Sequence, residues 1–167
     1  MKNAALKLGF SVSATSRPPR GNEQNGREYF FLTPEEFDRH IAAGDFVEWE
    51  EVYAGTKYGT LREEVEHVLN SGHNLIMDID VKGALNVKKQ FGNEALAIFI
   101  LPPSVEILEQ RLRKRNTDNE ESLQKRIEKA EFELEFADKF DARVVNDDLE
   151  KAVEEVEKRI IEFTQVQ

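Results

Sequence analysis

Seven consecutive side chains, Ala95 to Leu101 (ALAIFIL), carry no polar group, and Pro102 and Pro103 end the run. Apolar residues at successive positions of a strand face both sides of a sheet, so a run this short reads as a strand covered on both faces, the habit of parallel sheets. Asn74 to Asp80 (NLIMDID), a short apolar run closing on acids, and Ala142 to Asn146 (ARVVN) read as two more strands of this kind. Helical spacing fills the intervals, at about residues 83 to 91, 104 to 115, 120 to 138 and 149 to 164. In the last of these Leu149, Val153, Val156, Ile160 and Phe163 draw one apolar stripe behind Asp147 and Asp148 as candidate caps. Alternation of strand and helix predicts an α/β fold with a parallel sheet, whose ligands sit at the carboxyl ends of the strands.

The first sixty residues follow another pattern. Phe10 to Thr15, Glu28 to Leu32 and Phe46 to Val52 read as short alternating or aromatic strands, the first two separated by a turn-rich Gly-Asn-Glu-Gln-Asn-Gly segment. A helix opens at Thr33-Pro34-Glu35-Glu36, with Thr33 as N-cap, Pro34 at the first helical position and Glu36 completing a capping box. This predicts a small β-rich insertion carried on the α/β core.

The chain has 167 residues, the size of one domain, and its 40% hydrophobic and 34% charged content suits a folded protein. Lys and Arg number 23 against 33 Asp and Glu, a formal net charge of −10 that disfavours nucleic acid and anionic membrane as partners. There is no cysteine, and His40, His67 and His73 are scattered, so no metal cluster is expected. No apolar run reaches the roughly 18 residues of a membrane span, and MKNAALKLGF is too short and polar for a secretory leader. The expectation is a cytoplasmic chain.

Any anion site in so acidic a chain must be a local basic cluster, and Arg17-Pro18-Pro19-Arg20 is the candidate. Two prolines hold the tetrapeptide near polyproline II, which sends both arginines to one side about 9 Å apart. Guanidinium forks match phosphate oxygens bidentately. The same tetrapeptide also suits two solvated arginines in a loop.

Taken together, SVSATSRPPRGNEQNGREYFF, DFVEWEEVY, YGT, IMDIDVKGALN, ILPPSVEILEQRLRKRNTDNEES and VVNDD, in this order and spacing, closely resemble the guanylate kinases, from about Phe10 to the end of the chain. The resemblance implies a P-loop NTPase-like parallel sheet flanked by helices, with an inserted β-rich GMP-binding subdomain at about 10 to 62. The core would take about 63 to 112 and 130 to 167, and a helical lid about 113 to 129, within a single domain. It implies phosphoryl transfer from ATP to GMP with Mg²⁺. Ser13, Arg17, Arg20 and Tyr29 match the grip on the GMP phosphate, joined by Tyr58. Glu48 matches the residue that reads guanine, because a carboxylate accepts from the paired N–H donors at N1 and N2 that adenine lacks. Thr60 matches the hydroxyl at the O6 edge, and Asp80 a further guanine contact. Asp78 matches a position near the transferring phosphate, reaching Mg²⁺ through water. Two acids closing a strand also suit a plain helix cap. Arg111, Arg115 and Arg126 match lid-side arginines that stabilise charge on the phosphoryl oxygens. Arg111 and Arg115 also fit a basic solvated face with Arg113 and Lys114. Asn146 matches a position near the ATP base.

The resemblance has one gap. The family's G-x-x-x-x-G-K-[ST] loop, which cradles the donor phosphates, occurs nowhere in the 167 residues. Residues 1 to 9 read as the tail of the helix that follows that loop, and the first core strand is expected to be absent with it. A chain so composed is expected to bind ATP poorly and to transfer phosphate at a negligible rate. The alternative function is a non-catalytic guanylate-kinase-like module that holds GMP or a phosphopeptide in the acceptor site. Retention of Glu48, Thr60 and Asp80 alongside the arginines favours the nucleotide.

Overall fold

Period-two alternation along a four-stranded sheet gives the first ninety residues their two surfaces. The computed structural model describes residues 4 to 53, 55 to 115 and 120 to 165. It divides into one unit that ends at Gly92 and a second that begins at Asn93.

In the first unit a 3₁₀ turn, Ala4–Leu6, leads into β1 (Leu8–Phe10), so the expected helix tail is a single turn followed by a strand. Then come β2 (Ala14–Thr15), β3 (Phe30–Phe31), α1 (Pro34–Ala43), β4 (Phe46–Tyr53), β5 (Thr56–Leu61), α2 (Arg62–Asn70), β6 (Asn74–Ile76) and α3 (Val81–Phe91). β1 and β6 form a parallel pair, while β3, β2, β5 and β4 form a mixed sheet in that order. The run Phe10 to Thr15, expected as one strand, therefore serves two ladders. The Ser11 N–H donates to the Ile76 carbonyl at 3.1 Å, whereas Ala14 is already paired with Phe30 and Gly59.

The capping box predicted at α1 is present. Glu36 N–H donates to Thr33 Oγ1 at 3.2 Å, and Thr33 N–H donates to Glu36 Oε2 at 2.8 Å. The helix stops at Gly44, whose φ of 75° is left-handed and suits glycine. Its inward Phe37 is fully buried and stacks on Phe46, with ring centroids 4.5 Å apart. Ala14, Phe37 and Phe46 form a buried cluster in this unit, with Phe30, Leu32, Ile41 and Leu61 packed around them.

NLIMDID forms a shorter strand than expected. Its ladder ends at Ile76, and Asp80 instead caps α3 by accepting from Gly83 N–H at 2.8 Å. The helix accordingly begins at Val81, two residues earlier than its apolar spacing suggests.

The second unit holds β7 (Ile98–Leu101), α4 (Val105–Arg115), α5 (Glu120–Leu134), β8 (Ala142–Val145) and α6 (Leu149–Gln165). β7 and β8 pair in parallel from Ile98 opposite Ala142 to Leu101 opposite Val145. Within this pair Phe99 and Val144 are buried but Ile100 and Val145 are 47% and 53% exposed, so the expected cover on both faces is found on one. α5 ends four residues before its expected limit. Glu135 and Phe136 N–H groups bond three residues back, to Phe132 and Glu133, and tighten the last turn. Asp148 caps α6 through Lys151 N–H at 3.0 Å, although Leu149, at the head of the expected stripe, is 68% exposed.

Replacing Phe37 by Ala should cost about 3–5 kcal/mol in urea unfolding of the first unit, as expected for a buried ring. Phe10→Ser, at a side chain 62% exposed, should stay within about 0.5 kcal/mol. Equal costs at the two positions would contradict this account of the core.

Candidate active site

β5 reads Thr-Lys-Tyr-Gly-Thr-Leu, so Tyr58 and Thr60 leave one face and Gly59 and Leu61 the other. Neighbouring strands obey the same division. Thr15 lies opposite Tyr58 and Glu48 opposite Thr60, while Ala14 and Trp49 lie opposite Gly59 and Phe46 opposite Leu61. Phe46 and Glu48 would share a face in a regular strand. A register shift between them puts the phenyl ring on the α1 side and the carboxylate on the polar side.

Glu48 is 7% exposed and accepts a 2.7 Å hydrogen bond from the Thr60 hydroxyl. Burial pushes its carboxyl up to about 7; the Thr60 hydrogen bond opposes that rise, and Asp80 and Glu50 add to it. The structure thus brings three of the expected guanine-reading residues, Glu48, Thr60 and Asp80, into one electrostatic group.

Two residues along β5, about 7 Å away, Tyr58 begins a second group. Its hydroxyl accepts from Arg17 Nε at 3.0 Å, and the Arg17 guanidinium lies 5.0 Å from the Tyr29 ring centroid and 5.6 Å from that of Phe31. The Tyr29 and Tyr58 rings meet edge to face at 5.8 Å. Burial raises the Tyr29 phenol, with Tyr58 adding to the rise and Arg17 opposing it. Ser13 is half-buried, and its carbonyl accepts from Phe30 N–H at 2.9 Å. Arg20 is exposed. Asp78, beyond the end of β6, is exposed yet close enough for its charge to act on Tyr29.

The residue that sequence reasoning missed is Glu23, placed in a turn-rich segment. Both its oxygens receive the Arg17 fork, at 2.6 and 2.9 Å, and its Oε2 also accepts from Arg20 N–H at 2.7 Å. These donors, Arg17 first, hold the Glu23 carboxyl down at about 2. Arg17 also donates to the Pro18 carbonyl, so its buried guanidinium is anchored on several sides. The only local hint was a carboxylate six residues after the arginine, across two prolines and a glycine.

The second unit contains the other expected residues. Arg111 donates to the Asn146 carbonyl at 2.6 Å and to the Asp147 carbonyl at 3.2 Å, so two positions expected to serve different parts of the donor nucleotide are in contact. Arg126 is half-buried on α5. The side chain of Arg115 lies outside the described residues. Arg113, expected on a solvated face, donates bidentately to Glu120 at 2.9 and 2.8 Å and through Nε to Glu109. Among the described residues no cluster of three His, Cys, Asp or Glu is placed to hold a metal ion, and no helix is long and apolar enough to cross a membrane.

The raised Glu48 carboxyl links stability to pH. Its folded value of about 7 exceeds the ordinary 4.5, so its contribution is fully present below about pH 4.5 and is lost as pH rises through 7. Between pH 5 and 8 the wild type should lose stability relative to Glu48→Gln in urea unfolding. Parallel stability curves would contradict the burial of an ionisable carboxyl at this position.

The family model described as guanylate kinase matches residues 1–163. The guanylate kinase of Porphyromonas gingivalis is 58% identical over 158 residues, covering 95% of this chain and 84% of the relative. That of Salinibacter ruber is 54% identical over 156 residues, covering 93% and 82%. The crystal structure of guanylate kinase from Anaplasma phagocytophilum superposes with a TM-score of 0.79 at 30% identity, over 98% of this chain and 79% of that one. These matches lead to one conclusion: the chain belongs to the guanylate kinase family.

Proposed function

We propose that the polar face of the mixed sheet binds GMP as phosphoryl acceptor, in the reaction ATP + GMP = ADP + GDP. One observation carries this reading: the buried Glu48, partnered by Thr60, shares a sheet face with the Arg17–Tyr58 pair. Guanine offers N–H donors at N1 and N2 to a carboxylate, and as these replace the Thr60 proton on Glu48 the freed hydroxyl can turn and donate to O6. Adenine would leave Glu48 buried with Thr60 alone as donor, which is how polar sites reject a near-isostere. At the other end of the nucleotide, the exposed Arg20 supplies a guanidinium fork to the phosphate. Arg17, held by Glu23 and Tyr58, contributes its charge, and Ser13 and Tyr29 contribute hydroxyls. Asp80 completes the guanine side.

Phosphoryl transfer asks the protein for positioning and charge stabilisation rather than covalent chemistry. Mg²⁺ in such a site is held mainly by nucleotide phosphates with one or two carboxylates. Asp78, exposed beyond the end of β6, fits the part of one carboxylate acting through water. When bound, the ion neutralises charge on the donor phosphates. Arg111, Arg115 and Arg126 are proposed to stabilise the transferring group, and Asn146 to face the ATP base. A cytoplasmic location goes with this reading. The 167 residues contain no G-x-x-x-x-G-K-[ST] run, so the backbone cradle for donor phosphates is missing from them. This polypeptide alone is proposed to transfer phosphate at a negligible rate, and a coupled assay giving rapid turnover would contradict that.

Calorimetric titration tests the acceptor site without requiring turnover. The chain should bind GMP in preference to AMP, and Arg17→Ala should weaken GMP by about tenfold or more, the value of a charged hydrogen bond. Equal affinity for the two nucleotides would remove the guanine reading and favour a module that recognises phosphate alone.

A further inference from the structure

Glycine at position 83 has no conformational reason to be there. Gly83 lies in the first turn of α3, its backbone is not in the left-handed region, and alanine would favour the helix by roughly 0.5–1 kcal/mol. Space is the remaining reason. A Cβ built at Gly83 would fall 2.5 Å from Glu48 Oε2, 3.2 Å from Glu48 Cδ and 3.3 Å from Asp80 Oδ1. The two carboxylates that it would touch are those assigned above to guanine, and no third residue lies among its nearest neighbours.

We infer that Gly83 is a specificity-determining position, whose missing side chain is the floor on which the Glu48 carboxylate rests. The inference rests on the acceptor-site reading above. Glu48 is pinned from the other side, because its Oε1 accepts from Thr60 while Oε2 lies over Gly83. A methyl group at 83 would push the carboxylate off its place by about an ångström, since carbon and oxygen atoms do not approach much closer than about 3.5 Å. The backbone need not move, because the atom displaced is the end of a side chain that can turn. Recognition has no such latitude, because both N–H bonds to guanine depend on where Glu48 Oε1 and Oε2 stand. Gly83 N–H also donates to Asp80, so the same residue positions one carboxylate by a hydrogen bond and leaves space for the other.

A double-mutant cycle tests this by calorimetry with GMP and AMP as probes, with thermal unfolding alongside. Gly83→Ala should unfold at nearly the wild-type temperature, keep its affinity for AMP, and lose at least tenfold of its preference for GMP. Glu48→Asp, one methylene shorter, should weaken GMP by itself. Adding Gly83→Ala to that variant should cost little more, because the shortened carboxylate no longer reaches the new methyl. The inference is overturned if Gly83→Ala leaves the GMP preference unchanged, weakens GMP and AMP equally, or costs the same factor in both backgrounds. A wild type without GMP preference would overturn the acceptor-site reading and this inference with it. Loss in Gly83→Ala through unfolding would show in the melting curve, and would overturn the view that Gly83 serves recognition rather than folding.

Discussion

A one-residue register shift between Phe46 and Glu48 decides what the mixed sheet can do. Upstream of it β4 sends Phe46 into the core over Phe37; downstream it sends Glu48 to the opposite face beside Thr60. Without the shift, the period of two would require either a carboxylate in the apolar core or a phenyl ring on the polar face. Gly59 permits the arrangement from the facing strand. A Cβ there would lie 2.8 Å from the Glu48 carbonyl and from Trp49 Cβ, and 3.0 Å from the Phe46 ring. The bulge and this glycine allow one thin sheet to carry a core on one side and a site on the other.

Burial of Glu48 is an electrostatic cost that folding must offset, and its raised carboxyl is the sign of it. The arrangement makes sense as preorganisation. A carboxylate already stripped of water has little desolvation left to undergo when paired N–H donors arrive and Thr60 turns from it to O6. Arg17 follows the same logic with opposite charge. It is buried, but Glu23, Tyr58 and the Pro18 carbonyl each accept from it, so its guanidinium is fixed rather than free to search.

Local signals were legible in the sequence, and long-range pairings were not. The capping box at Thr33 and Glu36 needs only four residues, and it formed as read. The short apolar runs formed β6, β7 and β8 inside the spans read for them, β6 stopping at Ile76 because Asp80 caps the next helix. By contrast Thr56 to Leu61, read only for its YGT motif, and the helix that follows gave no secondary-structure signal, since a glycine in the middle and few β-branched residues dilute the alternation. The register shift after Phe46 depends on pairing with a strand about twelve residues on. Glu23 looked like part of a turn because its meaning lies in Arg17, and Gly83 looked like an ordinary helix residue because its meaning lies in Glu48. Family resemblance supplied the nucleotide and most of the residues around it. It did not supply the groups that hold those residues in place.

A crystal structure of this chain with GMP bound would show directly which face of the sheet holds the nucleotide. The account predicts guanine N1–H and N2–H on the Glu48 carboxylate, O6 at Thr60, and the phosphate at Arg17, Arg20 and Tyr58, all on the polar face of the β3-β2-β5-β4 sheet. Guanine found away from Glu48, or a phosphate bound elsewhere with the Arg17–Tyr58 pair untouched, would contradict it.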